Sequence, residues 1–223
     1  MGHLSVSGLA CRRSERLVFT GLDFRLDAGA ALLVVGPNGS GKSSLLRLLA
    51  GLLRPFAGAI LWDGRDIAAD AHAHRARVAY LGHGDAVKPT LTVAEEIGFW
   101  AAIDGARVET GTAALTAMDL TRLADFPCRH LSAGQKRRLA IARVLARIEA
   151  PLWILDEPTN GLDAEARRRL GRALAAHRDG GGMVVAASHE GLDLPGAQVL
   201  ELGPFAAEAK AAEVRGLEVD QLV

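Results

Sequence analysis

Gly36-Pro37-Asn38-Gly39-Ser40-Gly41-Lys42-Ser43 is the stretch on which the fold turns, because it fits the pattern G-x-x-x-x-G-K-[ST] between two segments of different periodicity. Upstream, Ala30 to Val35 is a short apolar run that reads as a buried strand. Downstream, Leu45, Leu46, Leu48 and Leu49 keep helical spacing as far as Gly51, a stop signal. Strand, glycine-rich loop and helix in that order make an anion cradle. Glycines let the backbone turn successive N–H groups into one concavity, and the helix N-terminus adds partial positive charge. Gly36, Pro37, Asn38, Gly39, Ser40, Gly41, Lys42, Ser43 and Ser44 are therefore the candidate phosphate-binding residues. In this reading Lys42 reaches the β and γ phosphates of a nucleotide, and Ser43 offers its hydroxyl to Mg²⁺, a hard cation that prefers oxygen ligands. The loop alone implies a nucleotide and nothing narrower.

Outward from the loop, Leu4 to Ala10 and Leu17 to Leu26 read as strands, the second from the alternation of Leu22, Phe24 and Leu26. A short strand at Ala59 to Trp62 precedes the tight turn Asp63-Gly64, and Val78 to Gly82 reads as another buried strand. Between Thr92 and Ile148 the spacing is mainly helical, with breaks near Asp104-Gly105 and from Phe126 to Ser132. Leu152 to Leu155 and Met183 to Ala187 are apolar runs separated by a helix from Ala164 to His177, the pattern of parallel strands joined by a crossover. The expected architecture is α/β, with a mixed sheet core, an antiparallel β portion and an inserted helical subdomain. One domain covers residues 1–223: a nucleotide-binding core from 1–84 and 150–203, the helical subdomain at 85–149, and a tail at 204–223 that reads from Ala206 onward as one loosely attached helix.

A second chemical cluster closes the strand Pro151-Leu152-Trp153-Ile154-Leu155, which ends in the adjacent carboxylates Asp156 and Glu157. Two charges at the end of an apolar strand are costly unless both are used. At the C-terminal edge of a parallel sheet, Asp156 can complete the Mg²⁺ shell while Glu157 polarises a water for attack on the γ phosphorus. His189, just after the strand Met183 to Ser188, is placed to contact the γ phosphate and that water. The histidines at positions 3, 72, 74, 130 and 177 read as surface or packing residues.

Bulk properties narrow the partners. The chain has 223 residues, 49% of them hydrophobic, enough to bury one sizeable core. Lys and Arg number 26 and so do Asp and Glu, so no overall field favours nucleic acid or an anionic lipid surface. Cys11 and Cys128 stand far apart without a Cys/His cluster, which argues against a disulfide framework or a zinc site and fits a reducing compartment. Neither a leader-like start nor a run long enough to cross a bilayer is expected, so any membrane role requires docking onto another protein.

Leu131-Ser132-Ala133-Gly134-Gln135, followed by a helix carrying Lys136, Arg137, Arg138, Leu139, Ala142 and Leu145, makes the reading specific. Ser132 suits an N-cap, and the helix N-terminus after it is an anion site. Alone, this could be an ordinary capped basic helix touching RNA. The segment resembles the LSGGQ signature of ABC ATPases, with Ala133 in place of the first glycine, and the other motifs lie in that family's order across residues 36–189. The resemblance implies a P-loop NTPase of the ABC type that binds ATP and Mg²⁺ and hydrolyses ATP as a head-to-tail homodimer. Each ATP is then sandwiched between one phosphate loop and the opposing Ser132, Ala133, Gly134 and Gln135, while Asp163, in the D-loop-like Gly161-Leu162-Asp163, runs along the interface.

Two positions depart from the family. Its usual Q-loop glutamine is replaced by His83, whose neutral imidazole could approach Mg²⁺ or water. The aromatic ring that usually lies under adenine is replaced by Arg13, a planar guanidinium able to stack on a base, with Arg12 an equal candidate. Together with the segments GLACRRSERLVFTGLDFRL, YLGHGDAVKPTLTVAEEI, HLSAGQKRRLAIARV and PLWILDEP, both departures resemble the heme-exporter ATP-binding subunits of bacterial cytochrome c biogenesis, although Gly84 stands where that subgroup has glutamine. The resemblance implies an integral membrane permease and heme-handling subunits as partners, no nucleic acid, and a peripheral position on the cytoplasmic face of the bacterial inner membrane. In that reading, turnover drives release of a heme-loaded carrier. A drug or lipid exporter would share the same catalytic residues. A soluble ABC protein acting on ribosomes or DNA usually has paired domains, and a P-loop kinase has no need of Leu131 to Gln135.

Overall fold

The computed structural model describes residues 2–104, 108–188 and 192–215. Two strands open the chain, β1 (His3–Arg13) and β2 (Arg16–Asp27), paired antiparallel through a two-residue turn. Ser14 and Glu15 both adopt positive φ there, 46° and 63°, which matches the right-handed twist of the strands they join. Strand β4 (Ala57–Trp62) pairs with the other edge of β1, and the Asp63-Gly64 turn returns the chain into β5 (Arg65–Asp66). The first sheet is thus antiparallel in the order β2-β1-β4-β5.

The second sheet is parallel throughout. It consists of β3 (Ala31–Val35), β6 (Val78–Leu81), β7 (Leu152–Asp156), β8 (Met183–Ala187) and β9 (Gln198–Glu201), in the order β6-β7-β8-β3-β9. Strands β7 and β8 are buried on both faces, which explains why they read as unbroken apolar runs. Their side chains still alternate. Leu152, Ile154, Met183 and Val185 join the core shared with α1 (Lys42–Leu49) and the antiparallel sheet. Trp153, Leu155, Val184 and Ala186 join the core shared with α5 (Ala133–Ala146) and α6 (Ala164–Asp179), the crossover helix between β7 and β8.

Helices α3 (Val93–Asp104) and α4 (Val108–Ala117) pack on α5 and complete the helical portion. Its apolar side chains, Val93, Ile97, Leu115 and Met118 among them, lie in the same cluster as Trp153 and Leu155, so the inserted helices share a core with the sheet. The final helix, α7 (Gly203–Arg215), begins three residues earlier than the sequence suggests and is seated on β2, with Ala209 fully buried beside Ala10 and Leu17. Small residues on both sides allow that close approach, so the helix is docked rather than loose. Helix α2 (Ala71–Ala76) and strands β5 and β9 have no counterpart in the sequence reading. Each is short and lacks apolar periodicity, and α2 is instead held by an Asp70 cap and by fully buried His74, 2.8 Å from the Leu49 carbonyl. Cys11 and Cys128 are buried and unbonded to each other, and burial pushes both thiols up in pKa.

Candidate active site

The loop after β3 and the helix α1 form the floor of a cleft of about 610 Å³ at the C-terminal edge of the parallel sheet. Gly36, Gly39 and Gly41 all have positive φ, at 150°, 80° and 100°. Gly41 is the N-cap of α1 and supplies no side-chain acceptor, so the first-turn N–H groups face the cleft without a side-chain cap. Lys42 is largely buried and curls back over the loop, donating from Nζ to the carbonyls of Gly36 at 2.8 Å and Pro37 at 3.1 Å. Burial pushes its pKa down, while the carboxylates of Glu157 and Asp156 act in the opposite direction.

The cleft gathers residues that are far apart in sequence. Arg13 and Val18 from the first hairpin, Asn38, Gly39, Gly41, Lys42, Ser43 and Ser44, His83 after β6, and Asp156 and Glu157 after β7 all line it. Gly36, Pro37 and Ser40 complete the loop beneath. Strand alternation sends the two arginines to different sides. Arg12 lies on the opposite face, its guanidinium 4.2 Å above the Phe56 ring, whereas Arg13 faces the cleft.

Asp156 is 1% exposed, and its Oδ2 has no hydrogen-bond partner among the described residues. A buried carboxylate oxygen beside the Ser43 hydroxyl in one cleft fits a hard divalent cation, with phosphate oxygens and water to fill the remaining positions. Glu157 is also buried and sits at φ 49°, a left-handed conformation that is uncommon for a side-chain-bearing residue. Its N–H donates to the Ala187 carbonyl at 2.9 Å, which ties the turn to the end of β8. His189 lies outside the described residues.

Ser132 caps α5 through a reciprocal box: its hydroxyl accepts from the Gln135 N–H at 3.2 Å, and the Gln135 side-chain oxygen accepts from the Ser132 N–H at 2.8 Å. Asp163 likewise caps α6, accepting from the Ala166 N–H at 2.8 Å. The two helix ends meet. Ser132, Gly134, Gln135, Arg138, Gly161, Leu162 and Asp163 line a polar hollow of about 150 Å³, and a methyl group on Gly134 would stand 3.1 Å from the Gly161 carbonyl. This hollow shares no lining residue with the large cleft.

Two contributors escape the sequence reading. Asn160 lines the cleft beside the carboxylates and carries no motif. Arg137 reads as one more cation on a basic helix, yet it is 4% exposed and reaches the carbonyls of both Asp156 and Glu157. A long-range contact of that kind leaves no local sequence signal.

Residues 19–160 match the family described as ABC transporter. The chain is 53% identical over 206 residues to a protein of Paramagnetospirillum magneticum named cytochrome c biogenesis ATP-binding export protein CcmA, covering 91% of this chain and 94% of that protein. It is 53% identical over 204 residues to a protein of the same name from Rhodospirillum rubrum, covering 92% and 87%. The solved structure of a putative ABC transporter ATP-binding protein from Pyrococcus furiosus superposes with a TM-score of 0.79 at 21% identity, over 91% of this chain and 98% of that one, a likeness of fold. With the phosphate loop, the paired carboxylates and the capped signature-like helix arranged as described, these matches lead to one conclusion: the chain belongs to the ABC transporter family, as an ATP-binding ATPase subunit.

Proposed function

We propose that this subunit supplies ATP turnover to the export step of cytochrome c biogenesis, working as a head-to-tail homodimer beneath an integral membrane permease and heme-handling subunits. The name shared by its relatives supports the pathway, and the service to heme export or heme-chaperone release follows from the sequence resemblance. One observation carries the dimer: on a single chain the signature hollow and the phosphate cleft are separate. Ser132, Ala133, Gly134 and Gln135 therefore serve a nucleotide held by the twin subunit, with Asp163 beside them at the interface. Among the described residues no helix is long and apolar enough to cross a membrane. In this proposal the subunit sits peripherally on the cytoplasmic face of the inner membrane and docks through the 85–149 segment.

Within the cleft, Lys42 exchanges its two carbonyl partners for the β and γ phosphates, and the first-turn N–H groups of α1 bind the remaining phosphate oxygens. Arg13 stacks on adenine. Ser43 and Asp156 would hold Mg²⁺, which when bound would supply charge neutralisation to the phosphates. Glu157 accepts a proton from the attacking water, and His83 lines the same cleft. General-base help of this kind is worth about 10²- to 10⁴-fold. Glu157→Gln is expected to lower turnover by that factor, keep nucleotide affinity and accumulate an ATP-bound dimer on a sizing column. In cells lacking the native gene, the same variant should fail to restore covalent heme on c-type cytochromes while the wild type succeeds. Normal cytochrome maturation with Glu157→Gln, or without the gene at all, would refute the assignment.

A further inference from the structure

Arg137 stands in no part of the reaction scheme above, yet it is buried and donates four hydrogen bonds to segments that line the cleft. Its Nη2 donates to the Asp156 carbonyl at 2.8 Å and to the Glu157 carbonyl at 2.6 Å. Its Nη1 donates to the Gly82 carbonyl at 3.2 Å and to Asp85 Oδ1 at 3.0 Å. Four acceptors converge on one desolvated guanidinium, from the end of β7 on one side and the loop after β6 on the other. A buried charge without partners is strongly destabilising, and this fork meets its four acceptors with a geometry that a point charge cannot reproduce.

Each anchored segment carries a residue of the cleft. Gly82 and Asp85 bracket His83, and the Glu157 carbonyl belongs to the left-handed turn that sends the Glu157 side chain into the cleft. Strained turns of this sort persist when several contacts fix them. Here the Glu157 N–H is held by Ala187, and its carbonyl by Arg137 and by the Asn160 N–H at 3.2 Å. Arg137 itself is fixed to α5, five residues beyond the Ser132 cap.

We propose that Arg137 is a positioning residue: it sets the Glu157 turn and the His83 loop from the signature helix of the same chain, so that a displacement of that helix is carried into the chain's own cleft. The proposal rests on the assignment of Glu157 as the base. It implies that the half-site a subunit offers its twin and the half-site it keeps are linked by one side chain.

The test is single-turnover hydrolysis of radiolabelled ATP by the full chain, with nucleotide affinity measured by titration of a fluorescent ATP analogue. Arg137→Lys keeps the charge and loses the fork. Since a misplacement of about 1 Å can cost about 10²-fold in rate, the hydrolysis rate should fall by that order while affinity stays within about twofold. Because Arg137 acts through Glu157, adding Arg137→Lys to Glu157→Gln should cause no further loss. Asp85→Ala removes one of the four contacts and should give a smaller fall in rate at unchanged affinity, and it decides the matter if Arg137→Lys does not fold. A wild-type rate in Arg137→Lys, equal losses of rate and affinity, or losses that multiply fully with Glu157→Gln would each overturn the proposal. Glu157→Gln alone, run in parallel, separates the two ideas: if it hydrolyses normally the base assignment fails, and if it is inactive while Arg137→Lys is normal, only the positioning role fails.

Discussion

Replacing Gly41 by alanine isolates how the phosphate loop is fitted to the sheet beneath it. At φ 100° an L-residue pays about 1–2 kcal/mol for the left-handed backbone. The new methyl group would also stand 2.6 Å from Val18 Cγ1 and 2.9 Å from Phe19 Cδ1, and Phe19 is fully buried and cannot step aside. Overpacking of that kind adds about 1–3 kcal/mol, for a total of about 2–5 kcal/mol against a typical domain stability of about 5–15. Gly39 is the control. Its φ is 80°, but a methyl group there meets nothing within 4 Å, so Gly39→Ala should show the backbone cost alone. Urea unfolding of both variants without nucleotide measures the difference, which is expected to be about 1–3 kcal/mol with unchanged slopes. A second run with ATP reports the loop itself. Saturating ligand at about 100 times its dissociation constant adds about 2.7 kcal/mol to the wild type, and Gly41→Ala should lose most of that increment. Equal stability of the two variants would refute the steric argument, because only Gly41 has Val18 and Phe19 pressed against the position of its new methyl group.

Further outcomes follow from neighbouring contacts. Arg13→Tyr should raise the preference for ATP over GTP and Arg13→Ala should weaken both, whereas Arg12→Ala should leave nucleotide affinity within about twofold, because Arg12 lies over Phe56; competition binding with the two nucleotides checks this. Ser132→Ala removes the α5 cap and is expected to cost about 1 kcal/mol in urea unfolding, with a larger fall in turnover than in nucleotide affinity. His177 stacks on Trp153 at 3.9 Å with the rings within 7° of parallel, and burial pushes its pKa from 6.5 down to about 4. In that window the unfolded chain holds a proton that the folded chain does not. Its contribution is therefore complete above 6.5 and falls as the pH drops toward 4, by about 1–2 kcal/mol once the ring's partial contact with solvent is allowed for. His177→Phe should flatten that part of the stability profile, and identical acid slopes for the two proteins would show that His177 is not responsible.

Legibility in the sequence followed locality. The strand, loop and helix around Gly36 to Ser43, the acidic end of β7 and the Ser132 cap are contiguous, so spacing and residue type suffice to place them: a glycine loop has to curl, and a serine before an apolar helix has to cap. Asp63-Gly64 announced its turn for the same reason, since two successive positive φ values demand such residues. What the chain order does not contain is which face each segment turns toward the others. Arg12 and Arg13 are equivalent until strand pairing sends one toward Phe56 and the other into the cleft. Arg137 became a buried strut only when α5 crossed the ends of β6 and β7, and Asn160 a cleft residue only when the turn after β7 came to the phosphate loop. Helix α7 likewise gained its seat from Ala10 and Leu17, nearly two hundred residues away in sequence. Local chemistry is written in neighbouring residues; convergence of distant ones is a product of sheet order and helix packing, and the tertiary structure alone decided it.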